Sequence, residues 1–445
     1  MPLSRLHGGR PDRGTGRFVS GGLRFDLTPA DQHREVRTVR KLVLLAVAVA
    51  LVACGGGGTP TGPSTGSTII LGAPLGLTGS LVKESNLTQQ GYSLWLDWIN
   101  TRGGILVNGV KHPVVIKYYD DTSSANQSAV LMQKLITEDK ANFLLGPYGS
   151  AATATDAAVA EQNQIPMVEA NGAAQSIFNQ GYKYTFGVLS PANKYLEGVI
   201  DMAATLNPKP ATVAMLSADD NFSLEVANAI NDYAPTKGMS VVLFKKYKNG
   251  ATNLTAEVQA AKAANADIVL NSGHLTEAIA INKAAKEQKL NAKIFAYSVG
   301  PSTPDFIAAL GKDANFVFDG SQWTPQVKYA PAFYLSESDY VAAYKAKFPG
   351  LGDPDYHVAE STAACLALQR AIENAGSLDP KKVRDALAAL DVTVFFGEIK
   401  FDPRGINIYK PMVVEQIQNG VHHTVFPADV ADAQPQYPTP SWDQR

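Results

Sequence analysis

Short apolar runs, rich in β-branched and aromatic residues, recur along the chain from residue 68 onward. Each run predicts a strand buried on both faces, because such strands lose the alternation of apolar and polar residues. Between the runs, apolar residues recur at helical spacing. The predicted strands are 68–73, 114–118, 142–145, 166–168, 212–216, 240–244, 267–270 and 293–296. This alternation predicts an α/β protein with parallel sheets flanked by helices.

Two of the predicted helices carry a start signal. Ser190-Pro191 and Asp379-Pro380 each place a capping side chain before a proline at the first helical position. The C-terminal region differs, because its short apolar runs follow one another without helical segments between them. These runs predict strands at 397–401, 412–418 and 421–425, with Asn419-Gly420 as a hairpin turn. We expect them to pack against the edge of one lobe.

Length and charge narrow the class of protein. The chain has 445 residues, and single cores stop growing at roughly 250 to 300 residues, so two lobes are expected. Basic residues are in excess over residues 1–53, which leaves the rest of the chain mildly acidic. Such a surface does not favour nucleic acid, whose binding depends on neutralising phosphates. Two cysteines exclude a disulfide-based scaffold.

The N-terminal region predicts an export signal. Arg37, Arg40 and Lys41 precede the apolar run 42–52, which is too short to cross a membrane. The run ends in Leu-Val-Ala before Cys54, which resembles the bacterial lipobox and implies lipid attachment to this cysteine. The alternative is a short buried helix with an incidental cysteine. The Gly-rich segment that follows favours the lipoprotein interpretation, because it predicts a flexible tether. Residues 1–36 precede a complete signal, and we interpret them as the result of a start codon assigned too far upstream.

A set of motifs in a fixed order carries a family resemblance. They are 74–79 (PLGLTG), 98–100 (WIN), 103–105 (GGI), 119–121 (YDD), 146–150 (GPYGS), 219–220 (DD), 375–377 (AGS), 395–397 (FFG) and 401–405 (FDPRG). From about residue 69 to 427 the chain resembles the extracellular solute-binding proteins of branched-chain amino acid ABC transporters, of the leucine/isoleucine/valine-binding type. The resemblance implies a type I periplasmic binding protein fold whose two lobes close over a small ligand. It also implies a permease and an ATPase as partners, no cofactor, and a monomer.

The resemblance also implies lobe boundaries, with three connections near Val188, Gly320 and Phe396. The expected segments are a leader at 1–53, a tether at 54–67, the first lobe at 68–188 and 321–395, the second lobe at 189–320 and 396–430, and a tail at 431–445.

The loop 146–150 is the first candidate binding segment. It follows a buried strand and opens a helix, where unpaired backbone N–H groups attract anions. The resemblance implies that Ser150 and Ala151 hold a ligand carboxylate, with Tyr148 and Gly149 beside them. The alternative is that Ser150 only caps its helix.

The second candidate segment follows the strand at 166–169. Asn171, Gly172 and Ala173 lie just after a strand end, where ligands bind in open α/β sheets. An ordinary Asn-Gly turn is the alternative for this segment.

Aromatic and polar residues elsewhere complete the candidate site. The resemblance places Phe222, His274 and Val299 across the cleft. Trp323 and the pair Tyr356-His357, which opens a helix after Pro354, are further aromatic candidates. The alternatives are that Phe222 belongs to the core and that His274 is a solvated residue at a helix start.

The ligand class depends on two positions. In amino-acid-binding members of the family, a hydroxyl and an acidic residue hold the ligand ammonium group, and the aligned positions here are Ala173 and Val299. Neither side chain accepts a hydrogen bond, and burial of an unpaired ammonium ion is strongly unfavourable. We therefore expect a small carboxylate without an α-amino group, unless Glu169, Asp219 or Asp220 supplies the acceptor; an amino acid is the runner-up.

Catalysis is not expected. The sequence contains no Walker motif, no Gly-x-Ser-x-Gly elbow between a predicted strand and a helix, and no metal-ligand spacing. His422 and His423 are adjacent on a predicted strand and so face opposite sides. A ligand-sensing module that signals to a membrane receptor is the alternative function, because transport and sensing use the same two-lobed clamp.

Overall fold

The computed structural model describes residues 65–445. The predicted leader, Cys54 and nearly all of the predicted tether lie outside the described residues. Within them, no helix is long and apolar enough to cross a membrane.

Strands and helices alternate along the described chain. The strands are β1 Ile69–Leu75, β2 Ile105–Val107, β3 Val110–His112, β4 Val114–Asp120, β5 Phe143–Leu145, β6 Met167–Glu169, β7 Thr185–Gly187, β8 Thr212–Ala218, β9 Ser240–Tyr247, β10 Ile268–Ser272, β11 Ile294–Tyr297, β12 Val317–Ser321, β13 Asp391–Val394, β14 Gly397–Lys400, β15 Val413–Gln418 and β16 Val421–Phe426. The helices are α1 Val82–Thr101, α2 Ala125–Thr137, α3 Ser150–Asn163, α4 Gln175–Phe178, α5 Glu197–Thr205, α6 Asn221–Thr236, α7 Thr255–Ala264, α8 Leu275–Glu287, α9 Pro304–Leu310, α10 Glu337–Lys347, α11 Tyr356–Ala375 and α12 Pro380–Ala388. The predicted α/β organisation is confirmed.

The first sheet has the order β4-β1-β5-β6-β7 and is parallel throughout. Alternate residues of β1 face opposite sides, so Leu71 packs with the apolar faces of α1 and α11, while Ile70 packs with those of α2 and α3. Burial on both faces explains the continuous apolar run that predicted this strand.

The second sheet has the order β16-β15-β12-β11-β10-β8-β9. Strands β8 to β12 pair in parallel, and β15 and β16 add an antiparallel hairpin at one edge. Asn419 and Gly420 both have positive φ, as the predicted two-residue turn requires. The edge position predicted for these two strands is confirmed.

The chain passes between the sheets three times, and the third passage lies later than expected. After β14 the chain still follows the first sheet, because Gly187 donates its N–H to the Gly405 carbonyl (2.9 Å) and bridges Ile406. Phe396 instead sits in the turn that joins β13 to β14, where Gly397 takes a positive φ. The third connection therefore lies between residue 407 and β15, and the position expected near Phe396 is wrong. The movement of the two parts as separate lobes stays a prediction.

Hydrogen bonds tie the three connections to one another. Ser190 donates its N–H to Gln322 Oε1 (3.0 Å), and Gln322 Nε2 donates to the Ser190 carbonyl (3.0 Å). The Ser190 hydroxyl donates to the Lys410 carbonyl (2.7 Å). The predicted helix-capping role of Ser190 is therefore wrong, whereas Asp379 caps α12 as predicted by accepting the Lys382 N–H (2.9 Å).

Candidate functional site

Loops from the two sheets face each other across a narrow space, which we call the cleft. The lining residues are Tyr148, Gly149, Ser150, Asn171, Tyr195, Phe222, His274, Val299, Tyr356, His357 and Glu360. The volume open to the centre of a water molecule is about 10 Å³, which is room for about one water. The two sheets are therefore in a closed arrangement in which side chains fill the cleft.

Ser150 begins α3 at the carboxyl edge of the first sheet. Its buried hydroxyl accepts the N–H of Ala174 at 3.0 Å, which ties the first binding segment to the second. The bond leads away from α3, so helix capping does not explain this serine. The hydroxyl proton stays available for a further acceptor in the cleft. Ala151 lies outside the cleft lining, in an adjoining pocket that also contains Ser150.

Asn171 brings a hydrogen-bond acceptor into the cleft. Its Nδ2 donates to Ser361 Oγ at 3.0 Å, while the Ser361 hydroxyl donates to the His357 carbonyl at 2.6 Å. Because the Ser361 proton is already committed, this oxygen must accept from Asn171, which sets the orientation of the amide. Asn171 Oδ1 is then left buried with no partner among residues 65–445.

Gly172 and Ala173 do not line the cleft. A Cβ on Gly172 would lie 2.5 Å from Thr153 Oγ1, so close packing requires glycine there. Ala173 is buried, and its carbonyl accepts the Ala192 N–H at 2.8 Å. Both residues position the loop, and they do not face the space where a ligand would bind.

His274, at the start of α8, joins the two lobes. Its Nδ1 lies 3.1 Å from Tyr148 Oη, and its Nε2 lies 3.7 Å from Asp220 Oδ2. Burial alone would lower the pKa of His274, but the carboxylates of Asp220, Glu277 and Glu84 outweigh it and raise the pKa above its ordinary value. His274 is therefore buried and partnered, and it is not the solvated residue considered as an alternative.

Phe222 and Val299 lie on the second-lobe side of the cleft. Phe222 packs its ring 5.0 Å from Tyr195 and 5.7 Å from His274. Both Phe222 and Val299 are buried. They give this side an apolar surface.

Trp323 is the aromatic candidate that the structure does not bring to the cleft. Its Nε1 donates to the Phe395 carbonyl at 3.1 Å, and its ring packs against Tyr340. The other late aromatic candidate, Tyr356, does line the cleft, and its hydroxyl has no partner among the described residues.

Two lining residues from the first lobe or its connections escaped sequence reasoning, Tyr195 and Glu360, whereas His357, a candidate together with Tyr356, does line the cleft. His357 Nδ1 lies 2.7 Å from Asp355 Oδ2, so the carboxylate accepts the Nδ1 proton. Glu360 Oε2 has no partner in the described part of the chain. Burial raises the pKa of Glu360 well above its ordinary value, and Glu169 raises it further. The sequence did contain one indication of Glu360: it lies four residues after the candidate Tyr356, and residues at this spacing share a face of a helix.

The acidic residues proposed earlier as replacement acceptors are engaged elsewhere. Glu169 Oε2 accepts the Gly172 N–H at 2.5 Å, and burial raises the pKa of this carboxyl to about 8. Asp219 accepts the Asn249 N–H at 2.8 Å. Asp220 caps α6 by accepting the Ser223 N–H at 3.0 Å. Among the described residues, the cleft side chains with a buried, unpartnered oxygen are therefore Glu360, Asn171 and Tyr356.

Further bonds hold the cleft closed. Glu84 Oε1, from α1 in the first lobe, accepts the Leu275 N–H at 3.2 Å in the first turn of α8. Glu225 accepts the N–H groups of Gln175 (2.6 Å) and Ser176 (3.0 Å). Carboxylates at helix N-termini are favourably placed because unpaired N–H groups and the helix dipole attract them. Within residues 65–445, no cluster of three His, Cys, Asp or Glu residues is arranged to hold a metal ion.

Comparisons with known proteins agree on one fold. A family profile described as periplasmic binding protein matches residues 68–421. The chain is 24% identical over 373 residues to Leu/Ile/Val-binding protein homolog 8 of Brucella abortus, covering 80% of this chain and 90% of that relative. Two solved structures have a similar fold. The branched-chain amino acid transporter substrate-binding protein LivJ of Streptococcus pneumoniae, in complex with isoleucine, matches with a TM-score of 0.71 and 19% identity over 81% of this chain and 100% of that one. An ABC-transporter solute-binding protein of R. palustris, in complex with benzoate, matches with a TM-score of 0.69 and 15% identity over 84% of this chain and 97% of that one. These likenesses confirm the predicted type I fold.

Proposed function

The chain belongs to the periplasmic binding protein family, and on that premise we propose that it captures a small carboxylate-bearing solute for an ABC importer. One observation carries the proposal: residues from both sheets line the same cleft, with Ser150 and Asn171 on one side and Phe222, His274 and Val299 on the other. A ligand that touches both sides favours the closed arrangement, because only differential affinity shifts such an equilibrium.

The start of α3 supports a carboxylate at the Ser150 end of the cleft. The first N–H groups of a helix have no intrahelical acceptors, and the helix dipole attracts negative charge. Ser150 adds a hydroxyl whose proton is free to donate. The solutes named with the two similar structures, isoleucine and benzoate, both carry a carboxylate.

Isoleucine carries an α-amino group and benzoate does not. Glu360 is the residue that would distinguish these two kinds of solute in this cleft. Val299 lines the cleft and offers no acceptor, which favours a carboxylate without an amino group. However, Glu360 Oε2 and Asn171 Oδ1 are unpartnered acceptors in the same cleft. A ligand ammonium group beside Glu360 would stabilise the ionised carboxylate, whereas a deamino acid would leave it protonated.

The experiment is a thermal-shift panel on the purified protein, because a ligand that binds the native state raises stability by mass action. The panel contains leucine, isoleucine, their keto, hydroxy and deamino analogues, and benzoate, each beside its uncharged amide. We expect at least one carboxylate to raise the melting temperature and its amide to have no effect. Failure of every carboxylate, or equal stabilisation by an amide, would overturn the proposal.

The location and partners of the protein belong to the same proposal. We infer an extracytoplasmic protein, anchored by lipid at Cys54 and delivering its solute to a permease with an associated ATPase. The lipobox and the Gly-rich segment after it support the anchor. The alternative is a sensing module that signals to a membrane receptor. Deleting the gene distinguishes the two functions: if the cells lose solute uptake and still respond to the solute, the protein serves transport.

A further inference from the structure

The first-lobe side of the cleft carries three buried oxygen atoms with no hydrogen-bond partner among residues 65–445: Asn171 Oδ1, Tyr356 Oη and Glu360 Oε2. Asn171 is 7% exposed, and Tyr356 and Glu360 are each 1% exposed. Buried polar groups nearly always have a partner, so unpartnered oxygens in the lining of one small space indicate a polar group that a ligand supplies. We call these three residues the oxygen cluster.

The oxygen cluster is built by the first lobe alone. Tyr356 and Glu360 lie one turn apart on α11, so they share a face of this helix. Asn171 follows β6 and is held against the same helix, because its Nδ2 donates to Ser361 Oγ at 3.0 Å. The arrangement of the cluster therefore does not depend on the second lobe, and it is available to a solute before the cleft closes.

The three members of the cluster differ in what they can donate and accept. Asn171 Oδ1 only accepts, whereas the Tyr356 hydroxyl has a proton to donate and can also accept. Burial raises the pKa of the Glu360 carboxyl well above its ordinary value, Glu169 raises it further, and the Lys410 ammonium offsets only part of this. The Glu360 carboxyl therefore keeps its proton at neutral pH, so it too can donate and accept.

A hydroxyl group matches this set better than an ammonium group does. An ammonium group supplies donors only, so it would leave the Tyr356 proton without an acceptor. It would also be buried without a charged partner unless the Glu360 carboxyl first lost its proton. A hydroxyl group is uncharged, donates one hydrogen bond and accepts others, and so can satisfy Asn171 and Tyr356 at once.

We propose that the solute is a hydroxycarboxylic acid, with its carboxylate at Ser150 and its hydroxyl group in the oxygen cluster. The hydroxyl donates to Asn171 Oδ1 and accepts from Tyr356 or Glu360. This inference rests on the carboxylate capture proposed above and adds the second group by which the solute is recognised. A site that hydrogen-bonds a hydroxyl group strongly rejects an analogue without one, because its own buried polar groups are then left unpaired.

The test is calorimetric titration of the purified protein with carboxylates that differ in one group. The hydroxy acids are 3-hydroxybenzoate, 4-hydroxybenzoate and 2-hydroxy-4-methylpentanoate. Each is compared with the acid that has a methyl group in place of the hydroxyl, namely 3-methylbenzoate, 4-methylbenzoate and 2,4-dimethylpentanoate. Leucine is the amino counterpart of the last pair, and the ring and chain compounds distinguish aromatic from aliphatic solutes. We expect at least one hydroxy acid to bind roughly tenfold or more tightly than its methyl counterpart.

A pair of tyrosine variants tests the cluster itself. Tyr356→Phe should lower the preference for the hydroxy acid over its methyl counterpart by roughly twofold to tenfold, because one hydrogen bond to the hydroxyl is lost. Tyr340→Phe is the matched control. Tyr340 is also buried, but its hydroxyl lies 3.0 Å from Thr362 Oγ1 and it does not line the cleft. This control should keep the preference of the wild type.

Equal binding of the hydroxy and methyl acids in every pair would overturn the inference and leave carboxylate capture standing. Tighter binding of leucine than of its hydroxy analogue would do the same, because the second group would then be an ammonium. An unchanged preference in a folded Tyr356→Phe variant would remove the hydroxyl from the oxygen cluster. If no carboxylate of the set or of the thermal-shift panel binds, carboxylate capture itself fails. The ratio of wild-type affinities decides even if the variant does not fold.

Discussion

Replacing Ser150 with alanine should weaken both the binding of a carboxylate solute and the fold, by separate amounts. The Ser150 hydroxyl accepts the Ala174 N–H at 3.0 Å inside the core, so its loss leaves a buried donor unpaired, at a cost of about 1 to 3 kcal/mol of stability. The proton of the same hydroxyl can donate a hydrogen bond to the ligand carboxylate. A hydrogen bond to a charged group contributes about 1.5 to 3 kcal/mol, which corresponds to roughly tenfold to a hundredfold in affinity.

A matched variant separates the two effects. Ser128 is also buried, and its hydroxyl donates to Asp156 Oδ2 at 2.8 Å between α2 and α3, where neither residue lines the cleft. Ser128→Ala should lower the free energy of unfolding in urea and leave the dissociation constant unchanged, whereas Ser150→Ala should change both. Calorimetry with the best carboxylate of the panel gives the affinities. Equal affinities for the two variants would refute the assignment of Ser150 to the ligand.

Three further outcomes are expected. The pKa of His274 is raised, so its contribution to stability is complete below about pH 6.5, its unfolded value, and is lost as pH rises through the raised folded value. His274→Gln should therefore flatten the difference in unfolding free energy between pH 6 and pH 9, and an unchanged difference would contradict the pairing with Asp220. Glu360→Gln should weaken the binding of an amino acid and leave the affinity for its deamino analogue unchanged. An equal loss of affinity for both compounds would show that Glu360 does not recognise the ammonium group. Cys54→Ala should move the protein from the membrane fraction to the soluble fraction, and retention in the membrane would argue against a lipid anchor.

Apolar periodicity predicted most of the sheet framework, because strands covered on both faces must be apolar almost throughout. The hairpin at Asn419 and Gly420 was equally clear, since few residue pairs adopt two positive φ angles easily. Strand β12 was missed, because Asp319 and Gly320 interrupt its apolar run. The third connection was misplaced because Phe395 and Phe396 form a tight buried turn, which a linear sequence does not distinguish from a passage between lobes.

The candidate site was predicted where loops follow strands, and less well where helices contribute. Tyr148, Ser150 and Asn171 reach the cleft because the carboxyl ends of parallel strands meet at one edge. Glu360 was missed because α11 is buried on nearly all sides and its sequence is typical of a core helix. Trp323 was misassigned for the opposite reason: a large aromatic after a strand more often packs into the core than faces a ligand.

Small-angle X-ray scattering with and without solute tests the central claim most directly. The structure has the cleft closed, with Tyr148 beside His274 and the Glu84 carboxylate accepting the N–H of Leu275. The carboxylate identified by the panel should make the protein more compact, shifting the radius of gyration towards the value calculated for this closed arrangement. An identical radius of gyration with and without saturating carboxylate would contradict the claim that solute binds between two closing lobes.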